Sequence, residues 1–197
     1  MNRYKLAAAA WCSVAAAFFL IHCQTTPNSS GALAVTEPPA VYDLKDGPLS
    51  VYDNHCSRCH GVNGSLYGAS FYALDEHDLE YEVYDMMTGP AQLKPSTAEV
   101  EAMNRYHFAI QQKTPFACIT NAESFYMNNA ISLTGESTPN TMITLNKGQE
   151  EIAAVITKHK WTVQNPPQPP FMVQVSNSDH TLTYEFPAQQ WSSVEKE

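Results

Sequence analysis

Apolar positions recur along this chain with two different periods, and the change falls near Cys118. Before it, spacings of three and four dominate. Leu79 and Val83, with Met86 or Met87 beyond them, share one face of a helix lying within the stretch that starts at Asp75. Val100, Met103, His107 and Ile110, with Tyr106 beside them, mark a second helix. Ser96 and Glu99 give it an S-x-x-E capping pattern, and Thr114-Pro115 ends it. An earlier helix starts at Gly47-Pro48, with proline suited to a first helical turn. Beyond Cys118 the apolar residues alternate instead: Ile131 and Leu133, Ile143 and Leu145, Ile152, Ala154 and Ile156, Trp161 and Val163. Phe171, Val173 and Val175 follow, then Leu182, Tyr184 and Phe186. Turn-forming clusters such as Ser137-Thr138-Pro139-Asn140 and Asn146-Lys147-Gly148 separate them, so several short strands and a small β-sandwich are expected.

The amino terminus follows neither period. Asn2-Arg3-Tyr4-Lys5 is basic, and Leu6 to Ile21 is apolar and rich in alanine, which reads as an export signal. At 16 residues the apolar run is short for a membrane span, which is the competing reading. Leu20-Ile21-His22-Cys23 is similar to a bacterial lipobox, with His22 where a small residue is expected. Cys23 is therefore the expected lipidation site, because it directly ends the apolar run; ordinary cleavage at Ala32-Leu33-Ala34 competes. Residues 24–40, rich in Gln, Thr, Pro, Asn, Ser and Gly, read as a flexible linker.

Candidate chemistry concentrates in Cys56-Ser57-Arg58-Cys59-His60, a C-x-x-C-H run that is the attachment signature for c-type haem. Positions i, i+3 and i+4 share a helix face, so Cys56, Cys59 and His60 would meet one flat object together. The two thiols would bond the vinyl groups and His60 would be the proximal iron ligand. A thioredoxin-like pair lacks a surrounding βαβ pattern. A structural zinc site lacks a second ligand pair at finger spacing.

With that motif, the stretch from Gly47 to about Lys113 resembles the small haem domain of class I cytochromes c. Pro48 to His55 precede the motif as that family's first helix does, Gly61 and Gly64 follow it, and Ser96 to Tyr106 match the family's last helix. The run from Leu133-Thr134-Gly135 to Trp161-Thr162-Val163 resembles bacterial Ig-like modules. The resemblances imply two domains, an all-α cytochrome c-like haem domain over residues 41–117 and a small all-β Ig-like sandwich over 118–190, behind the signal in 1–23. They also imply one covalent haem c, attached outside the cytoplasm, in the periplasm or cell envelope. The family places a methionine between its middle and last helices. Here Gly89-Pro90-Ala91-Gln92 leads to Leu93, so the sixth iron ligand is expected to be Met87, with Met86 as the alternative. Met103 and Met127 are poorer candidates, iron that is five-coordinate or held by a histidine such as His77 is the competing reading, and His107 reads as a packed partner.

The chain carries a formal net charge of -9, and six acids fall between Asp75 and Asp85. Without a basic stripe, nucleic acid is excluded as a partner. The acids read either as a docking patch for basic redox partners or as a solvated helix face. Three functions compete: single-electron transfer between a donor and an acceptor protein, a haem-based sensor with an open iron site, and the haem subunit of a larger oxidoreductase. No catalytic constellation accompanies the motif, so an enzyme in its own right is not expected. The β-module reads as a spacer or a surface for a protein partner.

Overall fold

A computed structural model describes residues 44–122 and 131–186 of the chain, with helices first and strands after them. Helix α1 spans Pro48–His55, with proline in its first turn as expected. Cys56 ends it, and the short helix α2 (Ser57–His60) carries on directly. A 3₁₀ turn (Val62–Gly64) and helix α3 (Ala69–Tyr72) lead to α4 (Glu76–Thr88). Helix α5 (Thr97–Gln112) has the full capping box: Glu99 N–H donates to the Ser96 hydroxyl at 3.3 Å, and Ser96 N–H donates to the Glu99 carboxylate at 2.7 Å. It ends at Lys113, in the left-handed region.

The strands are β1 (Ala117–Ile119), β2 (Ser132–Ser137), β3 (Met142–Lys147), β4 (Glu150–Ala153), β5 (Val155–Thr157), β6 (Lys160–Gln164), β7 (Phe171–Ser176) and β8 (Thr181–Phe186). They form two antiparallel four-stranded sheets, ordered β1-β2-β6-β5 and β4-β3-β7-β8. At Ala154 the chain passes from the second sheet to the first, splitting the expected Ile152–Ile156 strand in two. Leu133, Trp161 and Val163 of one sheet share a core with Ile143, Leu145, Val173, Val175 and Phe186 of the other. The alternation beyond Cys118 thus buries one face of β3, β6 and β7, while Ile152 and Ile156 of β4 and β5 are only partly buried and Ile131, outside β2, is exposed.

The expected pairing of an all-α cytochrome c-like domain with a separate all-β Ig-like sandwich is corrected by this architecture. The described residues form two antiparallel sheets with a few mostly short helices laid against one of them, and no all-α cytochrome domain. The reason lies in β1. Its alternation sends Ala117 and Ile119 into the core between the sheets, and Phe116 and Cys118 into the core of the helices. All three residues of β1 are buried, because this edge of the sheet is covered on both faces. The helices therefore do not close a core of their own; the sheet supplies part of it.

Glu136, on β2 opposite Cys118, fastens that contact. Its carboxylate is 2% exposed and accepts from Leu49 N–H at 2.8 Å and Ser50 N–H at 3.1 Å, at the amino end of α1. It also accepts from the Ser50 hydroxyl. Orphan donors and the positive end of the helix dipole both favour a carboxylate there. Gly47 leaves the room, since a side-chain carbon at that position would collide with the Glu136 carboxyl. Around the cluster, His159 Nε2 lies 3.0 Å from Ser50 Oγ and 3.6 Å from Glu136 Oε1, while its Nδ1 faces Asp53 at 3.4 Å. Glu136→Ala leaves the α1 donors buried and unpaired, so it should lower unfolding free energy by about 3 kcal/mol. Glu136→Gln, which keeps one accepting oxygen, should cost less; denaturant unfolding followed by circular dichroism measures both.

Candidate haem site

The crossing of α1 and α5 positions the C-x-x-C-H turn. Tyr52 and Tyr106 are fully buried and meet edge to face at 5.4 Å. Their hydroxyls reach past the crossing: Tyr52 donates to the Gly61 carbonyl at 3.0 Å, and Tyr106 to Asn63 Oδ1 at 3.2 Å. Both contacts hold the loop that follows His60. That loop turns through positive φ at Gly61, Asn63 and Gly64. At Gly61 a side chain would be strained by its φ of 74° and would meet Ser65 and Leu66, so glycine is required there.

Cys56 and His60 both open on a cleft of about 310 Å³. Its other walls are Tyr67 and Phe71 on one side, Val83, Met86 and Met87 of α4 on another, and Met103 and His107 of α5. The Tyr67 ring stacks on Phe71 at 3.9 Å and faces the His60 ring at 4.8 Å. Gln111 pins this wall, its amide donating to the carbonyls of Phe71 at 3.0 Å and Leu74 at 2.8 Å.

The residues expected from sequence are distributed unevenly around this space. Cys56 is partly buried and faces the cleft, whereas Cys59 is exposed and lies outside its lining. Met87 is 2% exposed and Met86 is 38% exposed, and both line the cleft at the end of α4. The Leu93 N–H returns to the Met87 carbonyl at 2.8 Å, so the loop after Gly89 folds back on that helix end. Met103 also lines the cleft, but His77 is exposed beside Asp78 and away from it. Cys23 and Met127 lie outside the described residues.

Sequence reasoning missed the aromatic wall and set His107 aside. A Tyr67–Phe71 spacing of four and a histidine on the apolar stripe of α5 were the available signals. His107 is buried, with Nδ1 2.8 Å from the Met103 carbonyl and Nε2 2.7 Å from the Tyr67 hydroxyl. A carbonyl only accepts, so Nδ1 carries the proton and Nε2 accepts from Tyr67. Burial lowers the His107 pKa to about 4, with the Met103 carbonyl opposing the shift and His60 adding to it. Burial pushes the Tyr67 phenol well up, and pushes the Cys56 thiol up with Cys59 adding to the effect. Cys118 is buried against the helices as a small apolar group, its thiol pushed up by burial and then by Glu136.

Neither a protein-family model, nor a curated protein, nor a solved structure matches the chain. The resemblances to class I cytochromes c and to bacterial Ig-like modules are accordingly corrected: no family model supports them, and the sheet-backed architecture differs from an all-α haem domain. What remains at the site is its donor set. Cys56 and His60 beside a cleft walled by rings and thioethers, with Cys59 exposed on the same turn, are residue types chemically suited to hold a haem.

His107 also makes a pH prediction for the haem-free chain. Its folded pKa of about 4 lies below its ordinary value, so the unfolded chain takes up the proton first as pH falls. The contribution to stability is complete above about pH 6.5 and is lost between there and about pH 4. Unfolding curves across that window should fall less steeply with acidification for His107→Gln than for the wild-type chain.

Proposed function

We propose that the protein is an exported carrier of single electrons that holds one covalent haem c. The observation that carries the reading is the C-x-x-C-H turn, with Cys56 and His60 opening together on the apolar cleft. In this reading Cys56 and Cys59 would bond the haem, and His60 together with Met87, with Met86 as the alternative, would supply a nitrogen and a thioether to its iron. A bound haem contributes the one-electron couple of its iron, and a thioether ligand favours the ferrous state and raises the potential. The chain's own part is to fix the donors and keep water from the cleft. Tyr52 and Tyr106 hold the motif's loop, Gln111 holds the aromatic wall, and Leu79, Val83 and Met87 turn the apolar face of α4 inward.

The partners proposed are a donor and an acceptor redox protein. All six acids between Asp75 and Asp85 are exposed along and beside α4, which also lends Val83, Met86 and Met87 to the cleft. An acidic face of this kind would steer basic partners towards the haem side.

The haem reading is tested on protein matured with a full attachment machinery. Haem staining should survive denaturing electrophoresis in the wild type and vanish when Cys56 and Cys59 are both replaced by alanine. Freely extractable haem would overturn it. The ferric protein should show the weak red band of sulfur ligation, lost in Met87→Ala; loss in Met86→Ala alone would move the assignment to the alternative.

Export and lipid anchoring at Cys23 complete the proposal, placing the protein in the periplasm or cell envelope. Mass spectrometry of the mature amino terminus should find a diacylglycerol-modified Cys23. A terminus after Ala34 would overturn lipidation while leaving export standing.

A further inference from the structure

His107 is the second histidine lining the cleft, and the C-x-x-C-H turn does not account for it. Its tautomer is set by the backbone: Nδ1–H points at the Met103 carbonyl, one helical turn back on α5, and leaves the Nε2 lone pair facing the cleft wall. Ligating histidines are held in this way, with one nitrogen donating to a carbonyl and the other free for a metal. The ring is also confined. Tyr52, Tyr106 and Phe71 surround it edge-on, with centroids at 5.7, 5.8 and 6.3 Å. The Tyr67 ring lies 4.8 Å from His60 and 5.9 Å from His107, and its hydroxyl occupies Nε2.

We infer that His107 is a reserve nitrogen ligand for the haem iron, occupied by the Tyr67 hydroxyl while a thioether of Met87 or Met86 holds the iron and available when the thioether leaves. The inference rests on the haem reading above. The exchange balances without an added proton. Nδ1–H stays on the Met103 carbonyl, the hydrogen bond from Tyr67 breaks, and the Nε2 lone pair becomes the donor. Burial, which keeps this imidazole neutral near neutral pH, removes the competing protonated form. Replacing a thioether by an imidazole stabilises ferric iron relative to ferrous, so one chain would have two potentials.

The test uses matured holoprotein carrying Met86→Ala and Met87→Ala together, alone and with His107→Leu or His107→Asn added. Haem staining after denaturing electrophoresis is read first for each variant, and its absence from the wild type sinks the haem reading rather than this inference. The methionine double variant should remain low-spin, with the ferric electron paramagnetic resonance of two imidazole ligands and slow carbon monoxide binding. Adding either His107 substitution should turn it high-spin and open it to carbon monoxide. A stained double variant that is already high-spin overturns the inference. So does one whose low-spin spectrum survives both His107 substitutions.

Discussion

A single buried carboxylate joins the two halves of this protein. Glu136 leaves the sheet at β2 and takes the first free N–H groups of α1, in a place with little access to water. The arrangement is favourable because the helix end presents unpaired donors and partial positive charge, which a desolvated carboxylate requires in return. Ser50 and His159 complete the shell around the carboxylate, and Asp53 faces the far side of the His159 ring. If the carboxylate were moved, α1 would lose its seat on the sheet, and the C-x-x-C-H turn that continues α1 would lose its anchor.

From that seat the order of the site follows by contact. α1 meets α5 through Tyr52 and Tyr106, whose hydroxyls hold the loop after His60. α5 in turn carries Met103 and His107 to the cleft, and Gln111 to the wall formed by Tyr67 and Phe71. Tyr67 and a neutral imidazole thus line the space while Tyr52 and Tyr106 are buried behind it, each hydroxyl donating to a named acceptor. Such a fully paired polar network inside an apolar wall resists rearrangement, because breaking any member leaves a buried group unpaired.

Much of this was legible in the sequence, and the reason is local. The period of three and four that marks α5, its Ser96–Glu99 box and proline at the start of α1 are short-range effects, and the structure has them where the pattern puts them. The same holds for the alternating strands, whose inward residues Leu133, Ile143, Leu145, Trp161 and Val163 are buried. Asp75 caps α4 through Asp78 N–H, a detail the acidic run concealed. The family resemblance drawn from the motif was not upheld, because a five-residue motif specifies chemistry on one turn and says little about what packs behind it.

By itself, then, the sequence determined the elements and the donor turn: which segments coil, which extend, and that Cys56, Cys59 and His60 share a helical turn. Only the tertiary structure decided that Cys118 and Phe116 close the helical core from the sheet, that Glu136 caps a helix 86 and 87 residues away, and that the unprotonated nitrogen of His107 accepts from Tyr67. Periodicity and capping arise between residues a few positions apart, so they are written in the order of the chain. Burial on two faces of one strand and the choice of a histidine tautomer arise between residues that folding alone brings together.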